Sequence, residues 1–111
     1  MEYSLAVQDD AVHVRVDGRV DEATWEAFGA ALSEAVERAG KSGHPTVVID
    51  LSELDYMSSR GLRVLTVAKR QADEAAITIV LESPNEVMSE ILAISRYDKL
   101  FTITGSTGAR Q

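Results

Sequence analysis

A chain of 111 residues has the length of one ordinary domain and can bury a core without disulfides or metals as staples. Its composition, 45% hydrophobic and 26% charged with no cysteine, is globular and excludes a disulfide scaffold, a fibrous repeat and a disordered chain. The net charge of −7, from 18 acidic against 11 basic residues, repels phosphate backbones and anionic headgroups and argues against nucleic acid as a partner.

Residues 3–8 read as a strand, Asp9-Asp10 as a two-residue turn, and residues 11–17 as a second strand in which Val12, Val14 and Val16 alternate with His13, Arg15 and Asp17. Gly18 is expected to end that strand, and Asp21 to cap a helix running to about Ala39. Trp25, Phe28, Leu32, Ala35 and Ala39 form its apolar stripe, and the Gly40–Gly43 segment its stop. Residues 46–51 form a third strand entered through Pro45. A polar stretch then leads to Ser58-Ser59 and a second helix carrying Leu62, Leu65, Ala68 and Ala72. Residues 77–81 make the next strand, Pro84 opens a third helix with Val87, Met88, Ile91 and Leu92, and residues 100–104 make the last strand before a frayed tail.

The resulting order, β-β-α-β-α-β-α-β, predicts an α/β domain over residues 1–105, with a mixed, mostly parallel sheet of about five strands and a tail at 106–111. In the third and fourth strands one face is purely apolar (Val47, Ile49, Leu51; Ile77, Ile79, Leu81) and the other mixed. A sheet covered on both sides lacks that asymmetry, so the helices are expected mainly on one face. The apolar runs are too short to cross a bilayer, and the first residues lack the basic-then-apolar pattern of a secretory signal. The expectation is a cytoplasmic protein without membrane insertion.

The segment from Val48 to Leu65 is the most informative. A buried strand passes through a loop into a helix whose first turn holds Ser58, Ser59 and Gly61. Either serine can cap the helix, and Gly61 leaves room for another molecule to approach the backbone. A phosphate on Ser59 would meet a helix start that favours negative charge. Capping alone would also account for both serines.

Asp50-Leu51-Ser52, Tyr56-Met57, Ser59 and Gly61-Leu62 resemble the signature of the STAS family, the domain of anti-sigma factor antagonists. Gly18-Arg19-Val20-Asp21 resembles that family's earlier Gly-Glu-Leu-Asp element. The resemblance implies a protein-binding module rather than an enzyme, with no cofactor and helices wound to one side of the sheet. It also implies phosphorylation at Ser59, with Ser58 as second choice. The partners it implies are an anti-sigma factor that is itself a serine kinase of the histidine-kinase-like ATPase type, and a serine phosphatase that resets the cycle. The expected contact surface is Asp21, Ser58, Ser59, Arg60, Gly61 and Arg63, extended along the second helix by Thr66 and Arg70. Two positions depart from the pattern. Ser58 replaces an acidic residue and Arg19 a glutamate, so with Arg60 nearby a phosphate on Ser59 could be paired by Arg60 or Arg19. A non-switching STAS subunit of a larger transport or sensory complex is the alternative.

Other candidates are weaker. His13 and His44 stand far apart without cysteines, which argues against zinc. Neither serine lies in a Gly-x-Ser-x-Gly elbow or has a nominated histidine base, which argues against a hydrolase. Asp50 and Asp55 read as loop caps, Gly105–Gly108 has no strand-to-helix context for a phosphate loop, and Trp25 and Phe28 are expected in the core.

Overall fold

The structure is a computed structural model and describes residues 1–105; the tail expected at 106–111 lies outside them. The elements are β1 (Glu2–Gln8), β2 (Ala11–Val20), α1 (Trp25–Ser42), β3 (Thr46–Asp50), β4 (Leu54–Met57), α2 (Ser59–Glu74), β5 (Thr78–Glu82), α3 (Glu86–Ile94), a 3-10 turn (Tyr97–Lys99) and β6 (Thr102–Thr104). The main sheet runs β1-β2-β3-β5-β6, antiparallel only between β1 and β2. Asp9 and Asp10 both adopt positive φ (54° and 64°), the conformation a two-residue hairpin turn needs.

The registers Val12↔Val47↔Ile79 and Val14↔Ile49↔Leu81 stack apolar residues across one face. These six share a single cluster with Phe28, Leu32 and Ala39 of α1, Leu65, Ala68 and Ala72 of α2, and Met88 and Leu92 of α3. Opposite them, His13, Asp50, Val80 and Glu82 are only half-buried and outside the cluster. The helices cover one face, as the asymmetry predicts.

Five strands form the main path of the sheet among the described residues, as expected, and a sixth, β4, lies off it in the polar stretch after β3. Gly18 does not end β2. With φ of 99° it lies inside the strand, where the pairing register slips by one residue. Gly18 pairs Leu54 and Arg19 pairs Tyr56, so Asp55 is left unmatched in a bulge. Beyond it, β2 leaves β3 and pairs with β4, carrying Val20 and Asp21 toward the start of α2.

Other boundaries shift for identifiable reasons. The α1 cap position is Thr24, without a side-chain cap, because Asp21 acts a turn earlier: its Oδ1 accepts from the Ala23 N–H at 3.0 Å. Gly40 stays helical, and Gly43, with φ of 73°, ends α1. Asn85 caps α3, its Oδ1 accepting from the Met88 N–H at 2.8 Å, so Pro84 precedes the helix rather than opening it. Val87 faces outward rather than into the core, and Leu100 precedes β6 as an exposed side chain.

Candidate functional site

The start of α2 is fixed from three sides. The Ser58 N–H donates to the Val20 carbonyl at 2.8 Å, anchoring the helix to the end of β2. The Ser58 Oγ accepts from the Gly61 N–H at 3.4 Å, a long but recognisable cap. Gly61 is buried, and a Cβ there would stand 2.4 Å from Met57 Cγ and 2.8 Å from Val20 Cγ1. Its missing side chain therefore lets α2 press on β4 and β2. The expectation that Gly61 opens a surface to another molecule is corrected: it faces inward.

Ser59, the first residue of α2, is exposed, and its hydroxyl has no hydrogen-bond partner among the described residues. It lies at one end of a groove of about 740 Å³ between α1 and α2. Trp25, Gly29 and Ser33 line it from α1, and Ser59, Arg63, Val67 and Gln71 from α2. Each series repeats every fourth residue, the spacing that aligns side chains along a helix. Leu32, Val64 and Ala68 complete the apolar lining, and Gln71 Nε2 donates to Ser33 Oγ at 3.4 Å across the groove.

Asp21, Ser58, Ser59, Arg60 and Arg63, expected together on one contact surface, lie where the end of β2 meets the start of α2. Asp21 is held by its own loop. Besides Ala23 it meets Thr24 Oγ1 (3.2 Å) and Arg19 Nε (3.2 Å), and these bonds hold its carboxyl below the usual range, the Ala23 N–H contributing most. Arg19 also lies over the Tyr56 ring at 4.8 Å. Arg60 pairs with Glu22 at 3.5 Å and lies over Trp25 at 5.1 Å. Both cations expected to receive a phosphate therefore already have a carboxylate and an aromatic ring. Arg63 is exposed and has no ion pair among the described residues. Thr66 is half-buried and bonded to the Tyr97 hydroxyl at 2.7 Å, so it is less available than expected; Arg70 is exposed.

Sequence reasoning missed the groove. Trp25, expected in the core beside Phe28, is only half-buried and forms the groove wall, whereas Phe28 is fully buried. Val67, 55% exposed, was the available signal: an apolar residue on the stripe that also carries Ser59 and Arg63. Asp50 does act as a turn cap, accepting the Ser52 N–H at 2.9 Å. His13 sits on the uncovered sheet face and His44 in the α1–β3 loop, so neither lines the groove.

A family model described as "Mlab, STAS domain" matches residues 3–103. BtrV of Bordetella bronchiseptica, named as an anti-sigma factor antagonist, is 32% identical over 94 residues, covering 85% of this chain and 78% of BtrV. The chain belongs to the STAS domain family, with anti-sigma factor antagonists among its relatives. A Thermotoga maritima protein named in the same way has a similar structure (TM-score 0.80, 17% identity, 96% of this chain and 88% of that one). So does SpoIIAA of Bacillus in its unphosphorylated form (TM-score 0.72, 20% identity, 92% of this chain and 87% of that one). The phosphorylated form of SpoIIAA gives a TM-score of 0.65 at 20% identity, with 92% and 90% covered. These solved structures share the fold. No helix among the described residues is long and apolar enough to cross a membrane.

Proposed function

We propose that this protein is an anti-sigma factor antagonist-like regulator that works by reversible binding in the cytoplasm, without catalysis of its own. Its partner is an anti-sigma factor of the histidine-kinase-like ATPase type, and phosphorylation of Ser59 by that partner ends the association until a phosphatase removes the group. The exposed Ser59 hydroxyl, unoccupied by any described residue and set at the end of a groove, carries this reading. Kinship with BtrV supports it, as does the existence of SpoIIAA, of like fold, in a phosphorylated form. The docking surface comprises Ser59, Arg60 and Arg63, flanked by Asp21 and Ser58, with Gly61 holding it from beneath.

A kinase assay read by intact mass tests the proposal. Incubation with the partner kinase and ATP is expected to add one phosphate, lost in Ser59→Ala and retained in Ser58→Ala. Addition that survives Ser59→Ala would move the site elsewhere. A second reading, a non-switching STAS subunit of a larger transport or sensory complex, is favoured by Ser58 and Arg19 standing where switching members carry acids. It predicts tight binding with no added mass.

A further inference from the structure

Three arginines, Arg19, Arg60 and Arg63, are candidates to pair a phosphate on Ser59, and they are not equivalent. Arg19 is occupied by Asp21 and the Tyr56 ring, and Arg60 by Glu22 and the Trp25 ring. Arg63 has no such partner among the described residues, is exposed, and, like Arg60, lines the same groove as Ser59. It follows Ser59 by four residues in α2, so the two side chains are neighbours on the helix surface, with the acceptor on the N-terminal side, the favourable order for an anion–cation pair. Drawing Arg60 to a phosphate would break an existing ion pair and a ring contact. Drawing Arg63 to it breaks neither.

We infer that Arg63, rather than Arg60 or Arg19, receives the phosphate placed on Ser59; the inference rests on the reading of Ser59 as the phosphoacceptor. In the modification the Ser59 Oγ bonds to the terminal phosphorus of ATP, the bond from that phosphorus to the bridging oxygen breaks, ADP leaves, and the hydroxyl proton passes to the kinase or to water. The new dianion then accepts charge-assisted hydrogen bonds from the planar guanidinium one turn on. Modification thereby occupies the cation at this site that has no ion pair among the described residues and so withdraws it from a carboxylate of the docking partner. The signal is a withdrawn guanidinium, with the phosphate held against the protein's own helix.

The test installs phosphoserine at position 59 during translation, so that no kinase is needed. Phosphorus NMR titration and thermal melting are then run on the parent chain, Arg63→Gln and Arg60→Gln, each compared with its own unmodified form. In the parent the second ionisation of the phosphate is expected below its ordinary value of about 6. The modified protein should melt about 2–5 °C higher than the unmodified one, the helix start and the arginine contributing together. Both effects should shrink in Arg63→Gln to what the helix start alone supplies and keep the parent's size in Arg60→Gln. Effects as large in Arg63→Gln as in the parent, or reduced only in Arg60→Gln, would overturn the assignment. A kinase that never modifies Ser59 would sink the functional reading instead and leave this result standing.

Discussion

Two helix starts in this molecule solve the same local problem and end with opposite characters. Both α2 and α3 follow a short strand, and both are capped by a small polar residue in extended backbone: Ser58 (φ −79°, ψ 175°) and Asn85 (φ −75°, ψ −176°). At α3 the cap is fully used. Asn85 Oδ1 accepts from Met88 at 2.8 Å while its Nδ2 donates to the Leu54 carbonyl at 2.9 Å, tying the helix to β4. At α2 the cap is longer, at 3.4 Å, and the next hydroxyl, on Ser59, points to no described partner. One junction is closed upon the fold, and the other leaves the Ser59 side chain exposed. The closed one also serves the open one, because β4 leads directly into α2 and Asn85 holds its first residue.

This contrast can be broken by substitution. The largest loss of stability is expected for Asn85→Ala, which removes a cap and leaves the Leu54 carbonyl without its donor, costing about 1–3 kcal/mol. Chemical denaturation would measure it, and the unfolding of β4 should weaken partner binding as well. Gly61→Ala comes next, at about 1–2 kcal/mol, since the gain in helix propensity is outweighed by overlap with Met57 and Val20. Ser58→Ala should cost about 0.5–1 kcal/mol, the value of a long cap. Ser59→Ala should change stability by less than about 0.5 kcal/mol, because an exposed hydroxyl without a partner contributes little to the fold. A large loss in Ser59→Ala would erase the distinction between the two junctions.

A smaller effect sharpens the same boundary. Asp21 has its carboxyl pKa lowered in the folded state by the Ala23 N–H, Thr24 and Arg19. Its contribution is therefore fully present above the ordinary carboxylate pKa and is lost as the pH falls through the depressed folded value. Melting curves recorded from about pH 5 down to about pH 2 should show a slightly shallower acid destabilisation in Asp21→Asn than in the parent. Identical slopes would mean that the loop before α1 is not held as described.

Much of this architecture was legible in the residues. The alternation of Val12, Val14 and Val16 marked the covered face, and helical spacing marked Phe28, Leu32, Leu65 and Ala68 correctly as core. β4 escaped because its bulge breaks the two-residue period: Leu54 and Met57, three apart, both face inward with Asp55 unmatched between them. Gly18 was read as a stop because glycine usually punctuates, whereas here its positive φ accompanies the change of strand partner. At the site, the serines and arginines were visible as residue types. Which of them lacks an ion pair among the described residues was not, since that depends on Glu22, Trp25, Asp21 and Tyr56 arriving from separate segments. The groove was hidden for the same reason, as half of it belongs to each helix.

The most direct measurement is the affinity of the proposed anti-sigma partner for this chain with serine at position 59 and with phosphoserine there, by titration calorimetry at one salt concentration. The account predicts that phosphoserine weakens binding at least about tenfold, equivalent to about 1.4 kcal/mol. Equal affinities for the two forms would contradict it.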